Sequence, residues 1–370
     1  MAFTRYQVLL IVVMVATGSI NTLSTKWADR LFSVGSDGGA PRKFDHPFVQ
    51  SCFMFLGEIL CLIAFKTMFR YYTSRQVIVE DVDLIRGSQN FNPFLFFPPA
   101  MFDMVATSIM YVGLELTYSS SFQMLRGSVI VFVALLSSSF VGRETKAHQW
   151  YGIVIIIAGL SVVGLADVSS SKGSKDSNSI ITGDLLVIMA QIITACQMVY
   201  EEKYVVDKDI PPLQAVGWEG TFGFVVLSIL LIPFYFIKVG PPFAENAHGV
   251  LEDFPDAITQ IYNNGWLLVS CVGTMISIAF FNFAGISMTK EVSATSRMII
   301  DTVRTFFIWI ACLILGWEQF HSLQLLGFSI LLFGMCFYYK IIPFAAYIHA
   351  IRGRTIVTEE PIINQRVDEP

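Results

Sequence analysis

The side chains most able to do chemistry in this sequence are charged residues placed inside long apolar stretches. In one stretch Arg297, Asp301 and Arg304 are spaced by four and three residues, which sets all three on one stripe of a helix. Because a charge that faces lipid costs about 3 kcal/mol or more, these side chains should face a hydrated cavity or one another. Guanidinium groups bind phosphate or carboxylate in a bidentate fork. The stripe therefore predicts a cavity for an anionic substrate, with Arg304 in contact with it and with Arg297 and Asp301 setting the orientation.

Other charges stand alone in their apolar stretches: Glu58, Asp103, Arg126 and Glu219. We predict that Arg126 contacts the substrate together with Arg304. The carboxylates are predicted to take part in a gate or a charge network, on the rule that charge inside a membrane is functional. A buried carboxyl such as Glu58 or Asp103 can also carry a proton in and out.

The same charges also allow a purely structural arrangement, in which Asp301 neutralises the two arginines beside it and Asp103 or Glu58 neutralises Arg126. Uncharged polar residues in the apolar stretches are further candidates for the cavity: Asn21, Gln123, Gln191, Gln197 and Asn282. Each of them can instead form a hydrogen bond between helices. A last group, at the end of the sixth apolar stretch, is either a gate or a solvated helix end: Tyr200, Glu202 and Lys203.

Composition shows what kind of chain must position these residues. Of the 370 residues, 54% are hydrophobic and only 14% are charged, against about 25% charged in soluble domains. The mean hydropathy is +0.61. Most of the chain must therefore sit in lipid, which excludes a soluble enzyme. The net charge is -5 and the basic residues are scattered, so a nucleic-acid-binding surface is excluded as well.

The sequence predicts neither catalysis nor a cofactor. All six cysteines lie in apolar runs without Cys-x-x-Cys or metal-ligand spacing, which is typical of small core residues. There is no His-Glu-x-x-His motif, no catalytic serine or cysteine motif and no cluster of metal ligands. We expect the lipid bilayer and a small-molecule solute as partners. A homodimer or a membrane-protein partner is left open.

Runs of about 20 mostly apolar residues are long enough to cross a bilayer core of about 30 Å. By that measure the sequence predicts an all-α polytopic membrane protein with ten transmembrane helices. The predicted spans are 6–25, 47–69, 93–116, 120–141, 148–168, 183–204, 214–237, 266–288, 293–315 and 321–342. The first is too long for a signal-peptide core, so we predict that it is retained. Residues 251–261 predict either a short helix at the membrane interface or an acidic loop.

The distribution of lysine and arginine predicts the orientation in the membrane. With the N-terminus in the cytosol, the cytosolic segments contain fourteen of these residues and the opposite segments seven, while three arginines fall within spans. Since cytosolic loops carry the excess of positive charge, both termini are predicted to be cytosolic.

The second half of the sequence repeats the first. With a shift of 174 residues, and of 175 after one inserted residue, the fourth and fifth spans match the ninth and tenth. The matched pairs are Met124 with Met298, Gly142 with Gly316, Glu144 with Glu318, Gln149 with Gln324, Gly152 with Gly327 and Gly159 with Gly334. Five spans in each half require the halves to be inverted, which is how many transporters are built. The predicted organisation is a five-helix repeat at 1–168, a linker at 169–182, a second repeat at 183–342 and a cytosolic tail at 343–370.

Several segments resemble a known family. They are Gly142-Arg143-Glu144 with Gln149-Trp150-Tyr151-Gly152, the run Val199-Tyr200-Glu201-Glu202-Lys203, and residues 17–24, 121–127 and 278–287. On these residues the chain resembles the drug/metabolite transporter superfamily and, within it, the F branch of the solute carrier 35 group. The nucleotide-sugar transporters of that group end their sixth span with Val-Tyr-x-Glu-Lys. The resemblance covers essentially all ten predicted spans.

The resemblance implies a carrier with ten helices and cytosolic termini that works by alternating access in an internal membrane. Such carriers often exchange a nucleotide sugar for a nucleoside monophosphate. Several of them have a Lys-Thr pair in the ninth span, where this chain has Arg304-Thr305, so the resemblance adds Thr305 to the substrate-binding residues. Relatives in the branch are associated with lysosomal and mitochondrial membranes. We therefore predict the lysosomal membrane, with the Golgi and mitochondrial membranes as alternatives.

The resulting prediction is a secondary transporter that moves a small anionic organic solute, a nucleotide sugar or a related metabolite, across an endomembrane. The alternative is a membrane interaction or regulatory protein that keeps the carrier fold and affects lysosomal or mitochondrial function through a partner. A partner-dependent phenotype that survives neutral substitutions at Arg126 and Arg304 would favour this alternative.

Overall fold

The computed structural model describes residues 4–75, 82, 84–117, 119–142, 146–170, 177–239, 246, 248–317 and 322–338. Within these ranges the ordered elements are helices, one short hairpin and an isolated β-bridge between Lys238 and Val250, which confirms the predicted all-α class. The helices are α1 (Arg5–Ala28), α2 (Pro47–Ser74), α3 (Phe97–Leu116), α4 (Ser119–Leu125), α5 (Val129–Phe140), α6 (Ala147–Ser170), α7 (Ser177–Asp207), α8 (Pro212–Phe236), α9 (Phe254–Asn263), α10 (Gly265–Glu291), α11 (Ala294–Ile314) and α12 (Ser322–Tyr338). The predicted tail at 343–370 lies outside the described residues.

Seven of the described helical segments are long and apolar enough to cross a membrane. They are Arg5–Ala28, Pro47–Ser74, Pro93–Leu114, Ala147–Leu165, Asn178–Asp207, Pro212–Phe236 and Gly265–Glu291. The chain is therefore a multi-pass membrane protein. Three predicted spans do not meet this measure, each for its own reason. The fourth is broken, the ninth (α11) contains two arginines and an aspartate, and the tenth (α12) has 17 residues.

The fourth predicted span is interrupted near its middle. α4 ends at Leu125, Arg126–Ser128 form a 3-10 turn, and α5 begins at Val129. Gly127 and Ser128 are weak helix formers, so the chain tightens there and sets Arg126 at the break. The prediction of one continuous span at 120–141 is wrong at this point, because the apolar pattern concealed the weak helix propensity.

The described helices also correct the predicted linker at 169–182. α6 continues to Ser170 and α7 begins at Ser177, so only 171–176 fall between the two helices, and these lie outside the described residues. By contrast, α9 confirms the short helix predicted within 251–261. The side chain of Asp253 caps it by accepting a hydrogen bond from the amide of Asp256 at 3.2 Å.

The most extensive helix packing joins α6 with α12, α1 with α10, α3 with α7, and α2 with α8. Glycines allow α6 and α12 to approach closely. A Cβ added at Gly159 would lie 2.9 Å from the carbonyl oxygen of Gly327, and one added at Gly334 would lie 3.1 Å from the carbonyl oxygen of Gly152. Each contact is therefore backbone against backbone, as small residues permit in membrane helices.

At one end of the bundle, residues 29–46 and 248–264 form a structure that we call the cap. The first segment contains an antiparallel hairpin in which Phe32–Ser33 (β1) pairs with Arg42–Lys43 (β2), and the second contains α9. The hydroxyl of Ser33 donates to the carbonyl of Gln260 at 2.7 Å, and a guanidinium nitrogen of Arg42 lies 2.6 Å from Asp256 Oδ1. The cap thus ties the start of α2 to the α8–α10 connection.

His46 is the centre of the cap and precedes α2. Its Nδ1 lies 2.7 Å from Glu252 Oε1 and its Nε2 3.3 Å from Asp256 Oδ2. Burial disfavours the charged ring, but these two hydrogen bonds outweigh it and raise the pKa of His46 to about 9. The other oxygen of Glu252 accepts from the amides of Phe48 at 2.8 Å and Val49 at 3.3 Å, which places negative charge at the N-terminus of α2.

Candidate substrate cavity

A cavity of about 250 Å³ lies between the helices. This is just below the volume of about 300–1,000 Å³ that is typical of drug-sized ligand sites, so this conformation fits a small solute. The charged residues of its wall are Lys26, Asp29, Glu58, Asp103, Arg126, Glu201, Glu219, Arg297, Asp301 and Arg304. Apart from Lys26 and Asp29, they divide into two groups. We call Arg126, Asp301 and Arg304 the basic end, and Glu58, Asp103, Glu201, Glu219 and Arg297 the acidic end.

Arg304 of the basic end is held firmly by its surroundings. One guanidinium nitrogen donates to the carbonyl of Gly18 at 2.9 Å and to the hydroxyl of Thr22 at 3.2 Å. The other lies 2.7 Å from Asp301 Oδ1, and the guanidinium carbon stands 4.7 Å from the centre of the Phe281 ring. Gly18 leaves the space for this side chain, since a Cβ there would come within 2.5 Å of Arg304 Cδ.

Arg126 lacks the kind of hydrogen bonds and ion pair with described residues that fix Arg304. It is half-buried and lines the cavity, and among the described residues its guanidinium has no hydrogen bond and no ion pair. Its recorded contact is with the ring of Phe122, 6.0 Å from the guanidinium carbon to the ring centre. Arg126 interacts electrostatically with Arg304 and Asp301, so both arginines act on the same part of the cavity. The predicted neutralisation of Arg126 by Asp103 or Glu58 is wrong, because those carboxylates lie at the acidic end.

The acidic end is built around one ion pair and one amide. Arg297 donates to Glu201 Oε2 at 2.8 Å. Gln197 donates to Glu201 Oε1 at 2.9 Å and to Glu219 Oε1 at 2.7 Å, which joins α7 to α8. Gly285 leaves room for Arg297, since a Cβ there would lie 2.7 Å from Arg297 Nε. The predicted pairing of Asp301 is therefore half right, because Asp301 pairs with Arg304 while Arg297 pairs with Glu201.

Glu58 completes the acidic end from α2. Its Oε1 accepts from Asn282 Nδ2 at 2.5 Å, whereas its Oε2 is buried and has no hydrogen-bond partner within the described part of the chain. A Cβ at Gly220 would lie 3.0 Å from this oxygen, so Oε2 sits against the helix that carries Glu219. Glu58 also interacts electrostatically with Asp103, Glu201 and Arg297.

The residues that line the cavity differ in their exposure to solvent. Asp29, at the end of α1 and beside the cap, lines the cavity and is exposed. Glu201 and Arg297, which also line it, form a buried ion pair in which Glu201 is 1% exposed.

Comparisons with known proteins identify the family of this chain. Residues 11–238 match the family "SLC35F: Solute carrier family 35", which is more than half of the chain. The chain belongs to solute carrier family 35. Solute carrier family 35 member F6 from human is 52% identical over 91% of this chain and 90% of the relative, and the mouse protein of the same name is 53% identical over the same shares. The predicted resemblance to the F branch of the solute carrier 35 group is thereby confirmed.

Two more distant matches extend the comparison, one in sequence and one in fold. The UDP-galactose/UDP-N-acetylglucosamine transporter srf-3 from Caenorhabditis elegans is 22% identical over 86% of this chain and 81% of its own length. A crystal structure with 12% identity has a TM-score of 0.56 and covers 93% of this chain and 99% of its own, which shows a shared fold alone. Family membership points to a transporter rather than an enzyme.

The structure brings most of the residues that the sequence singled out into the cavity wall. Those that line it are Asn21, Glu58, Asp103, Arg126, Gln191, Gln197, Glu219, Asn282, Arg297, Asp301 and Arg304. Thr305 is not among the lining residues, and its hydroxyl donates to the carbonyl of Asp301 at 3.1 Å. The side chain of Gln123 lies outside the described residues.

The gate predicted at the end of α7 misses the cavity wall by one residue in the sequence. Tyr200 packs on Tyr204, with ring centres 4.4 Å apart, Glu202 accepts a hydrogen bond from Ser137 at 3.1 Å, and Lys203 is exposed. None of these three lines the cavity, whereas Glu201 does. The signal for Glu201 was its spacing of four residues from Gln197, which puts both side chains on one helical face.

Proposed function

We propose that this chain moves a small anionic organic solute, a nucleotide sugar or a related metabolite, across an endomembrane by alternating access. The observation that carries the proposal is Arg126, whose guanidinium lines the cavity and has no hydrogen bond or ion pair with the described residues. A charged donor in a membrane cavity is stable only if something else satisfies it, and guanidinium matches phosphate or carboxylate. The held Arg304 beside it adds a second positive charge, offset in part by Asp301.

We propose further that the chain consists of two inverted repeats with ten transmembrane helices, the first repeat ending with α6 and the second beginning with α7. The helix pairs support this, because a two-fold relation that maps each span onto the one five places later reproduces the observed packing. It maps the contact of α1 with α10 onto that of α7 with α3, and it maps α6 with α12 onto itself. The repeat-matched Gly142 and Gly316 also share a left-handed backbone, with φ of 74° and 66°.

This symmetry supplies the transport cycle. We propose that in the present conformation the cavity opens toward the cap, beside the exposed Asp29, and is closed by the buried Glu201–Arg297 pair. Exchange of conformations between the two repeats would close the cap side and separate that pair, as alternating access requires. We propose Glu201 and Arg297 as the inner gate.

The test uses purified protein in liposomes preloaded with uridine monophosphate. Uptake of labelled UDP-N-acetylglucosamine is measured first, followed by a panel of nucleotides and small organic anions. We expect saturable uptake of one of them and a loss of about tenfold or more in Arg126→Gln, the value of a charge-assisted hydrogen bond. Arg75→Gln is the matched control, since Arg75 ends α2 outside the cavity. No uptake across the panel, or full uptake by Arg126→Gln, would contradict the proposal.

We also propose that both termini face the cytosol and that the compartment is the lysosome, with the Golgi and mitochondria as alternatives. The lysine and arginine distribution and the branch resemblance support these two points. Epitope tags at either end should be accessible after selective permeabilisation of the plasma membrane, and organelle fractionation should place the protein with lysosomal markers. A tag protected inside the organelle would reverse the orientation and place the cap in the cytosol.

A further inference from the structure

The acidic end of the cavity holds more negative charge than the described residues can balance. Four carboxylates meet there, Glu58 from α2, Asp103 from α3, Glu201 from α7 and Glu219 from α8, and Arg297 from α11 is the cation that interacts with them. That guanidinium is already paired with Glu201. Ionising all four carboxylates would leave an excess of three negative charges, at a cost of several kcal/mol for each buried and unpaired ion.

Glu58 shows where this excess is concentrated. Its side chain is 96% buried, since only 4% is exposed, and Oε2 has no hydrogen-bond partner among the described residues. Two of the three carboxylates that are not paired with Arg297 accept hydrogen bonds from neutral amides: Glu58 from Asn282 of α10 and Glu219 from Gln197 of α7. Neither amide supplies a charge, so the two carboxylates depend on a mobile cation.

A metal ion does not fit this place. Within the described residues no group of three or more histidine, cysteine or acidic side chains is arranged to hold a metal. Divalent cations need several oxygen ligands at once, whereas Glu58 and Glu219 each present one oxygen toward a different amide. A proton needs only a single oxygen and no coordination shell.

We propose that Glu58 and Glu219 form the binding site of a proton that is coupled to solute movement. The inference rests on the proposed transport function and adds the coupling ion to it. Hydronium in the aqueous mouth beside Asp29 gives up a proton, and an O–H bond forms at Glu58 Oε2. The same bond breaks when the cavity opens past the Glu201–Arg297 pair, and the proton returns to water on that side. The charge of the acidic end thus changes with the direction in which the cavity faces.

The decisive experiment reads the proton and not the solute. Infrared difference spectra of the purified full-length chain are recorded between about pH 8 and about pH 5, in the absence of any added solute. We expect a band of protonated carboxyl groups that grows on acidification. In Glu58→Gln, which keeps the size of the side chain, this band should lose one carboxyl. In Glu219→Gln, which also keeps the size, the band should grow only at a lower pH, because the acidic end then carries one negative charge fewer. Asp29→Asn, which changes an exposed carboxylate at the cavity mouth, should keep the wild-type band.

Two outcomes would overturn the proposal. One is a wild-type spectrum in which no carboxyl changes protonation in this interval, and the other is a band that survives unchanged in Glu58→Gln and Glu219→Gln. Gel filtration verifies that both variants remain folded. If uptake of all anions fails while the band behaves as expected, the proton site stands and the anionic cargo falls. If uptake works at equal pH on both sides while the band is absent, the transport function stands and proton coupling falls.

Discussion

The cap and the cavity use the same kinds of buried charge in opposite ways. In the cap, both nitrogens of His46 and both oxygens of Glu252 and Asp256 contact partners. In the cavity, the guanidinium of Arg126 and one oxygen of Glu58 have no partner among the described residues. A cluster whose charged groups are paired holds segments together, whereas an unpaired charged group in a cavity is available to a ligand. Burial of charge therefore does not mark a functional site unless the charge also lacks a partner.

The strongest way to break this comparison is to remove a satisfied charge from the cap. Asp256 accepts from the amide of Ser36 at 2.6 Å, from Arg42 at 2.6 Å and from Gln260 at 2.8 Å. Burial works against its charge, but hydrogen bonds from His46 and Arg42 hold its pKa below the usual range. Asp256→Asn should lower the free energy of unfolding by about 3 kcal/mol or more, because it removes the charge that pairs with both the buried His46 and Arg42.

Thermal unfolding in detergent measures this effect. Asp37→Asn is the control, since Asp37 contacts the same Arg42 but is exposed, and its unfolding midpoint should not change. Equal unfolding midpoints for Asp256→Asn and Asp37→Asn would show that the buried contacts of Asp256 do not stabilise the fold.

The second effect is a dependence of stability on pH that comes from His46. Its pKa is about 9 in the folded chain against 6.5 for an ordinary histidine. A raised pKa means that the stabilisation is complete below pH 6.5 and is lost as pH rises through about 9, by up to about 3 kcal/mol. The unfolding midpoint should therefore fall between these values, and His46→Gln should start lower and remain flat. A wild-type unfolding midpoint that stays constant up to pH 10, about one unit above the pKa of His46 in the folded chain, would contradict this prediction.

This dependence separates the cap from the acidic end of the cavity. In an acidic or a neutral compartment His46 keeps its proton, so His46 does not titrate in the pH interval in which the proposed proton site works. The hydrogen bonds of its charged ring are therefore retained while the carboxylates of the cavity titrate.

A third and smaller effect concerns the glycines that make room for cavity arginines. A Cβ at Gly285 would lie 2.7 Å from Arg297 Nε, so Gly285→Ala should displace that guanidinium from Glu201. We expect a loss of about 2 kcal/mol in stability, the usual cost of overpacking, together with faster loss of solute from loaded liposomes. Gly164→Ala is the control, because nothing lies within 4 Å of a Cβ there and alanine favours a helix. If Gly285→Ala is as stable as Gly164→Ala and retains solute in liposomes equally well, the Glu201–Arg297 pair is not the gate.

The sequence predicted the cavity better than it predicted the contacts inside it. Charge within apolar runs identified Arg126, Arg304 and Glu58 because lipid forbids unpaired ions, a rule that needs no coordinates. Pairing was a different matter. Arg297 pairs with Glu201, which lies on a helix about a hundred positions earlier in the chain, and no local spacing in the sequence predicts such a contact.

The elements were predicted on the same terms. Long apolar runs gave the helices, since their length is fixed by the bilayer. The break at Arg126 was missed because two weak helix formers inside a strongly apolar run change hydropathy very little. The cap was missed for the opposite reason: its residues are spread over two polar segments some 200 positions apart, which folding alone brings together.

Arg126→Gln has the smallest expected effect on stability, and this separates Arg126 from Arg304, the other arginine of the basic end. Arg304→Gln would leave Asp301 without its partner and remove the bonds to Gly18 and Thr22, so it should cost about 3 kcal/mol. Arg126→Gln breaks no hydrogen bond or ion pair within the described residues, so it should change stability by less than about 1 kcal/mol. Yet both should abolish solute-dependent stabilisation, measured as the shift of the unfolding midpoint when uridine monophosphate or another anion of the panel is added. A residue whose loss leaves the fold intact and removes only the response to a ligand is placed for that ligand. If Arg126→Gln instead unfolds the chain as readily as Arg304→Gln, Arg126 is a structural charge like those of the cap.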